Sequence, residues 1–478
     1  MPPRPTRKYP SQETLSRRLS ILEFKDYFDP AAVRSNISER THEPDGGSHR
    51  AVRALDVVAL CLTSGEQGDV TAAAFYPIDS KKQNTLIVCK NREATPQDRL
   101  RLIDFKKTLI ASSAWTDVFR DFILRHCAEN ITKRVKLFKE SFSQIHKQLE
   151  DMANTYTPPQ APLDQVFPRS DKLRETLYKG GEPADPRVML FDVLRKCRQA
   201  AGEFAIDRPE ERETAQQNLD KYLDLWKLAD CIRVSAFMEL LLLPLSTSDD
   251  IVAKFIRRLN KVCQYARIEL LLKHYDWTTL PTCWATLSST VMPQGGKFSR
   301  GTANSMLEPL MSKQKSNLAA INMMKNTSKV WNPRDILRPT IHAEIKMIIF
   351  IHTRTSPKAV SDSPSPQLPI GCSKRSCICC SIWIAAFNES SEMAWMTSGS
   401  HGKPYDQWAF ANTVKLPDSL YEHVAAAQDI VADRIRGILV KFVGSALLTE
   451  QELQLFPESD EDASAGESDT SSNKLDLY

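Results

Sequence analysis

The sequence has no long apolar run. Its most apolar stretch, Met238 to Leu245, is interrupted by Glu239 and Pro244 and falls far short of the roughly 20 residues that cross a bilayer. A buried helix end is expected there, and no membrane partner. Met1 to Thr14 is basic and proline-rich and lacks the apolar core of a secretory signal. A strong charge of one sign is also missing. The 478 residues carry a net +4, which alone does not announce a nucleic acid. The balance is uneven, however: Glu458 to Tyr478 holds seven acidic residues against one lysine, so the remainder stands near +10 and permits an anionic partner without requiring one. No internal repeat is evident. Nor is there a disulfide framework. Of eleven cysteines, seven (Cys61, Cys89, Cys127, Cys197, Cys231, Cys263, Cys283) are scattered singly, mostly inside apolar patterns. They read as small core residues in a reducing, intracellular compartment, cytoplasmic or nuclear. The other four crowd together as Cys372, Cys377, Cys379 and Cys380.

What is present is mostly helical. Leu15 to Phe28 and Ala51 to Leu62 carry helical periodicity, the latter with Leu55, Val58, Ala59 and Leu62 on one face. The period then changes. Val70 to Tyr76 and Thr85 to Cys89 are short apolar or β-branched runs around a polar turn, which predicts a hairpin. Helices are expected at Thr95–Ile110, Trp115–Cys127, Thr132–Met152, Val188–Phe204, Glu211–Leu243 and Asp249–His274. No convincing pair of strands stands out between Tyr275 and Pro339. A helix from His342 to Ile351, a Ser/Pro-rich linker from Thr355 to Pro369 and a helix from Cys377 to Phe387 follow. Then come a short strand at Ala394–Thr397, a helix at Ser419–Ala432 and an apolar run at Ile438–Val443. The organisation expected is an N-terminal extension (1–50), a helix and hairpin (51–94), a helical region (95–330), a core (331–446) and an acidic, serine-rich, disordered tail (447–478). Basic runs such as Arg17-Arg18, Lys106-Lys107 and Arg257-Arg258 lack interleaved aromatics and read as solvated faces.

The chemistry concentrates in His342-Ala343-Glu344 and, 33 residues beyond Glu344, Cys377-Ile378-Cys379-Cys380. A catalytic zinc takes three protein ligands and keeps one position open for water. One imidazole and two thiolates make such a set, and Zn²⁺ suits both ligand types. Cys377 and Cys380, three apart at a helix start, share a face and can chelate one ion. Ser376 is placed as the N-cap, and the positive helix end favours thiolates. Glu344, two positions past the histidine, suits a proton carrier better than a fourth ligand. A structural zinc site would instead fill the fourth position, for which Cys372 or Cys379 is available.

The order H-x-E…C-x-x-C is that of the zinc deaminases. Ile341-His-Ala-Glu-Ile345, Ile370-Gly-Cys-Ser-Lys374 with Cys377-x-x-Cys380, and Ser398-Gly-Ser-His-Gly-Lys403 together resemble a fungal deaminase-like family of the cytidine deaminase-like superfamily, whose members act on nucleic acids and nucleotides. The close resemblance covers roughly Pro339 to Val443, with a fainter extension to the hairpin. It implies an α/β fold with a three-layer α/β/α core and a large helical N-terminal or inserted region. It also implies zinc bound by His342, Cys377 and Cys380, with Glu344 as proton shuttle. Ser376 stands where many deaminases have proline, and Cys379 is an extra cysteine.

If the hairpin supplies the first strands of that sheet, Asn91 falls near the pocket, either as a substrate contact or as the start of a turn. His401, in its Gly-Ser-His-Gly loop, is either a substrate contact at the pocket mouth or a structural hydrogen-bonding residue. Trp383 and Trp395 could stack on a base but suit the core better. The substrate expected is a cytosine- or adenine-type base, in a free nucleobase compound or in single-stranded nucleic acid. The alternative is an inactive zinc-stabilised scaffold whose helical region and acidic tail bind protein partners.

Overall fold

The computed structural model describes residues 10–25, 27–29, 47–66, 68–77, 84–111, 117–168, 185–204, 212–265, 276–287, 291, 297–301, 332, 334–354 and 367–454. The serine/proline-rich segment 355–366 and the end of the acidic tail, 455–478, lie outside them. The elements run α1 (Gln12–Phe24), α2 (Gly47–Cys61), β1 (Thr71–Pro77), β2 (Asn84–Lys90), α3 (Pro96–Ala111), α4 (Asp117–His126) and α5 (Ala128–Thr155). These are followed by α6 (Pro186–Glu203), α7 (Arg212–Val234), α8 (Asp250–Val262), β3 (Thr282–Trp284), β4 (Phe298–Ser299) and β5 (Ile336–Leu337). Last come α9 (Ala343–Arg354), β6 (Gln367–Cys372), α10 (Ile378–Ser391), β7 (Ala394–Met396) and α11 (Asp418–Gln454). Among the described residues no helix is long and apolar enough to cross a membrane.

Five strands form one sheet in the order β3-β2-β1-β6-β7. β1 and β2 are the antiparallel hairpin, with Ala73 opposite Val88. β1 also pairs antiparallel with β6, Ala73 facing Gly371, and β6 runs parallel to β7. The chain therefore leaves this sheet after β2, builds the helical block, and returns to it. Side chains alternate across a strand, so both hairpin strands feed two cores. Ala73, Leu86 and Val88 point into one that holds α2 and the helical block. Ala72, Ala74, Tyr76, Ile87 and Cys89 point into the other, with α1, α9, α10 and α11. This is a mixed α/β protein with helices on both faces of its sheet.

The helical block is built by periodicity. On α5, Ile131, Val135, Phe138, Phe142, Ile145 and Leu149 recur at three- and four-residue steps and are buried. The helix starts are capped by acids: Asp185 accepts from the Arg187 amide at 2.8 Å, ahead of Pro186, and Asp249 accepts from Ile251 and Val252 at 2.8 and 3.1 Å. The long helix expected from Glu211 to Leu243 ends at Val234, where Ser235 Oγ donates to the Ile232 carbonyl at 2.7 Å. A π-turn, Met238–Leu242, follows. The helix and apolar run expected at 419–432 and 438–443 are one continuous helix, α11. Three strands do lie between Tyr275 and Pro339, but at two or three residues each they are too short to carry a period.

The helix α2 rests directly on β6. A Cβ on Gly371 would sit 1.9 Å from the Leu55 carbonyl carbon and 2.2 Å from the Asp56 nitrogen, so only glycine fits. Beside it the buried Asp56 Oδ1 accepts from the Cys372 amide at 2.7 Å. These two contacts fix the strand that delivers the chain to Cys377.

Candidate metal centre

His342 sits just before α9, on the segment that enters that helix. The start of α9 is capped from far along the chain: Asn91 Oδ1 accepts from the Ala343 amide at 2.9 Å. Asn91 is itself fixed by what lies around the end of β2. Lys90 is fully buried and paired with Asp69 at 2.8 Å and Asp98 at 2.6 Å, and Arg92 reaches Asp69 at 3.3 Å. Burial works against both carboxylates, but the Lys90 ammonium outweighs it and holds them below their ordinary range. Lys346, one turn into α9, is buried and donates to the carbonyls of Lys90 and Asn91. An ion-pair cluster on the hairpin thus sets the position of the histidine helix.

On the other side of the site, Cys377 itself is the N-cap of α10, its Sγ accepting from the Cys380 amide at 3.4 Å. This corrects the expectation for Ser376. That residue is extended and paired with Ser400: its amide donates to the Gly399 carbonyl at 3.1 Å, and its carbonyl accepts from the His401 amide and Ser400 Oγ at 3.0 Å. Proline could not make the Gly399 bond, which gives the departure from the usual deaminase residue a physical reason. The loop from Ser398 to Asn412 laces both ligand segments together, because it also pairs with Thr340, just before His342 (Thr340 amide to Gln407 carbonyl, 2.7 Å).

The three donor atoms converge. His342 Nδ1 lies 3.6 Å from Cys377 Sγ and 3.3 Å from Cys380 Sγ, and the two sulfurs are 3.5 Å apart. A tetrahedral zinc with Zn–S near 2.3 Å and Zn–N near 2.0 Å needs edges of about 3.5 Å (S···N) and about 3.8 Å (S···S). The residues present fit that ion to within a few tenths of an ångström. Neither Cys372 nor Cys379 joins the group, and among the described residues no other His, Cys, Asp or Glu does. The trio could hold a metal with one vertex unfilled by a described protein ligand.

The charges agree with a cation site. Burial disfavours a thiolate at Cys377, but hydrogen bonds from Cys379 and Cys380 and the charge of His342 pull its pKa well below the ordinary thiol value. Burial, together with that neighbouring thiolate, pushes Cys379 and Cys380 well above it. Burial acts against a charged His342, yet Cys377 and Glu344 raise it. A divalent cation would favour the second thiolate as well. Glu344 is 3% exposed and close enough for its charge to bear on His342, Cys380, Cys372 and Cys89.

Sequence reasoning missed Trp408. This buried indole donates from Nε1 to Cys380 Sγ at 3.3 Å, fixing a candidate ligand from behind. Its backbone is tied down in turn, the Trp408 carbonyl accepting from Gln12 of α1 at 2.9 Å. No local signal marks Trp408, because it lies 28 residues from the cysteine it touches. His401 lies in line with the site: its ring packs on Tyr405 (centroids 5.2 Å), which packs on His342 (6.1 Å). Its Nδ1 accepts from the Lys403 amide at 3.1 Å, which puts the proton of the neutral ring on Nε2. Burial lowers its pKa. Trp383 stacks on Phe387 and is buried, and Trp395 donates to His352, so both serve the core.

A family model described as OTT_1508_deam-like deaminase matches residues 341–412, the stretch from the histidine segment through the lacing loop. No curated protein matches the chain. No solved structure does either. The matched segment thus supports a deaminase-like family, on the same residues that build the candidate metal centre.

Proposed function

We propose that this chain is a zinc-dependent hydrolytic deaminase acting on the amino-bearing ring of a nucleobase, in a nucleoside, a nucleotide or a single-stranded nucleic acid. The observation that carries the reading is the His342–Cys377–Cys380 triangle, with edges of tetrahedral length and a carboxylate on the first turn of the adjoining helix. Zinc, when bound, supplies the Lewis acidity that makes water a nucleophile near neutral pH.

The chain's own residues supply the rest. The Glu344 carboxylate takes a proton from the attacking water and delivers it to the departing amine, so that ring amine and water become ring carbonyl and ammonia. Burial strengthens its charge interactions and keeps it from bulk solvent. His401, with its proton on Nε2, is a hydrogen-bond donor for the base or its sugar. Asn91 retains its amide as a second donor, its Nδ2 reaching, among the described residues, only the Gly68 carbonyl at 3.4 Å while Oδ1 is spent on the helix start. Three-layer packing of the deaminase kind, with the helical block as an insertion after the hairpin, is part of the same reading.

The test is ammonia release from a panel of nucleosides, nucleotides and single strands by metal-replete protein. Glu344→Ala should keep its zinc and lose roughly 10²–10⁴-fold in turnover. Full activity in that variant removes the assigned role. Absence of turnover in the parent protein, with zinc stoichiometric, favours a zinc-stabilised scaffold.

A further inference from the structure

The basic runs of the sequence do not share one environment. Arg17 pairs with Glu13 at 2.5 Å, and Lys106 is tied to the Leu280 carbonyl at 2.6 Å. Arg257-Arg258 is different. It lies on α8, which packs against α5, and Arg134 of α5 bonds the Lys261 carbonyl at 2.7 Å and Gln264 at 3.0 Å without meeting a carboxylate. Arg258 is 5% exposed, and its Nε has no hydrogen-bond partner among the described residues.

The turn after β6 joins this group from the metal side. Ser373 is bonded both ways to Thr71. The nearby loop packs on α5 through Gly65 against Asn130, one turn before Lys133. Lys374 accordingly feels Lys133, and Lys261 feels Arg134, Arg258, Arg257 and Lys374. Burial first, then these like charges, brings Lys261 down to about 7. Acids do little to offset them. Asp69 is already committed to Lys90 and Arg92, and Glu140 acts on Arg258 only at a distance. Among the described residues, Lys133, Arg257, Arg258, Lys261 and Lys374 form no ion pair.

We propose that the exposed side chains of Lys133, Arg257 and Lys374, with Lys261 beside them and the buried Arg258 beneath, form a binding surface for the phosphate backbone of a single-stranded nucleic acid, set beside the candidate metal centre. Unneutralised cations held close together disfavour the folded chain unless a polyanion covers them. The surface spans two helices of the block and a turn that leads, three residues on, into Cys377. A strand lying there runs past the site that would take its base. An unpaired strand is required because a base within a duplex cannot reach a buried ion without flipping. This inference rests on the deaminase reading for its link to catalysis, but the binding itself is separate.

The test uses the full chain and fluorescent single-stranded DNA and RNA oligonucleotides of mixed sequence, titrated over a range of salt. In the parent protein, log K should fall linearly with log salt. The variant Lys133→Glu/Arg257→Glu/Lys374→Glu changes exposed residues only. It should flatten the slope by about two and weaken binding by roughly 50-fold near 0.15 M salt, since each lost contact to a single strand removes about 0.7. The matching triple glutamine variant should fall between the two, and equal zinc content and melting temperature in all three exclude misfolding. Glu344→Ala should bind the oligonucleotide as the parent does, so failure of the chemistry and failure of the surface are told apart. Identical slopes in parent and variants overturn the proposal. So does equally tight capture of an acidic peptide of the sequence 455–478, which would assign the surface to a protein partner instead.

Discussion

The two faces of the central sheet hold five buried cysteines each and use them differently. On the helical side, Cys61, Cys127, Cys197, Cys231 and Cys263 are dispersed through an apolar core. Burial pushes Cys61 and Cys197 well above the ordinary thiol range, which leaves them inert packing atoms. On the other side, Cys89, Cys372, Cys377, Cys379 and Cys380 share a core with His342 and Glu344, and Cys377 is pulled the opposite way. Depth does not separate the two groups, since all ten are buried. What separates them is the imidazole: His342 Nδ1 lies within 4 Å of both Cys377 and Cys380.

The sharpest break of this comparison is in metal content. Cys380→Ala should lower zinc affinity by more than the roughly 10–100-fold that loss of an outer-shell partner costs, whereas Cys197→Ala should leave stoichiometry intact by elemental analysis. Equal losses in both would erase the distinction between the faces. The junction of the faces comes next. Gly371→Ala drives a methyl into the backbone of α2 and should cost about 3 kcal/mol or more in denaturant unfolding. A neutral effect would show that α2 does not rest on β6. Trp408→Phe keeps the ring packing but removes the donor to Cys380, so zinc affinity measured by chelator competition should fall about tenfold with little change in fold.

The smallest effect concerns pH. His352 of α9, accepting from Trp395 Nε1, has its pKa brought by burial, then by His423, down to about 4. In the unfolded chain it titrates near 6.5. The unfolded state therefore binds the extra proton between those values, and the stability from the neutral ring is complete above about pH 6.5 and is lost as pH falls toward 4. His352→Gln should flatten that part of the melting-temperature profile. A parallel profile would place the titration elsewhere. On the helical side, burial also lowers His126, which lies 3.1 Å from Asp104.

The candidate ligands were legible because their geometry is local. Cys377 and Cys380 fall on one face by helical spacing, and His342 and Glu344 flank a helix start. The hairpin was legible through its alternation, and the block through its three- and four-residue steps. What could not be read is non-local or very short. Trp408 reaches its cysteine across 28 residues, Asn91 caps a helix 252 residues away, and Gly371 owes its identity to a helix more than 300 residues earlier. The three short strands have no period to detect. The continuity of α11 was hidden because Gly437 costs a helix only about 1 kcal/mol, which the packing of its neighbours overrides. Arg257-Arg258 looked like a solvated face because pattern alone does not reveal that Arg258 is buried among like charges.

The proposed centre needs three donors to meet one ion while a fourth vertex is left for solvent. X-ray absorption at the zinc edge of the purified full-length protein reads this directly. Two sulfurs near 2.3 Å and two nitrogen or oxygen neighbours near 2.0 Å are the predicted shell. Three or four sulfurs would contradict it, because a further cysteine would then close the position at which the chemistry is proposed.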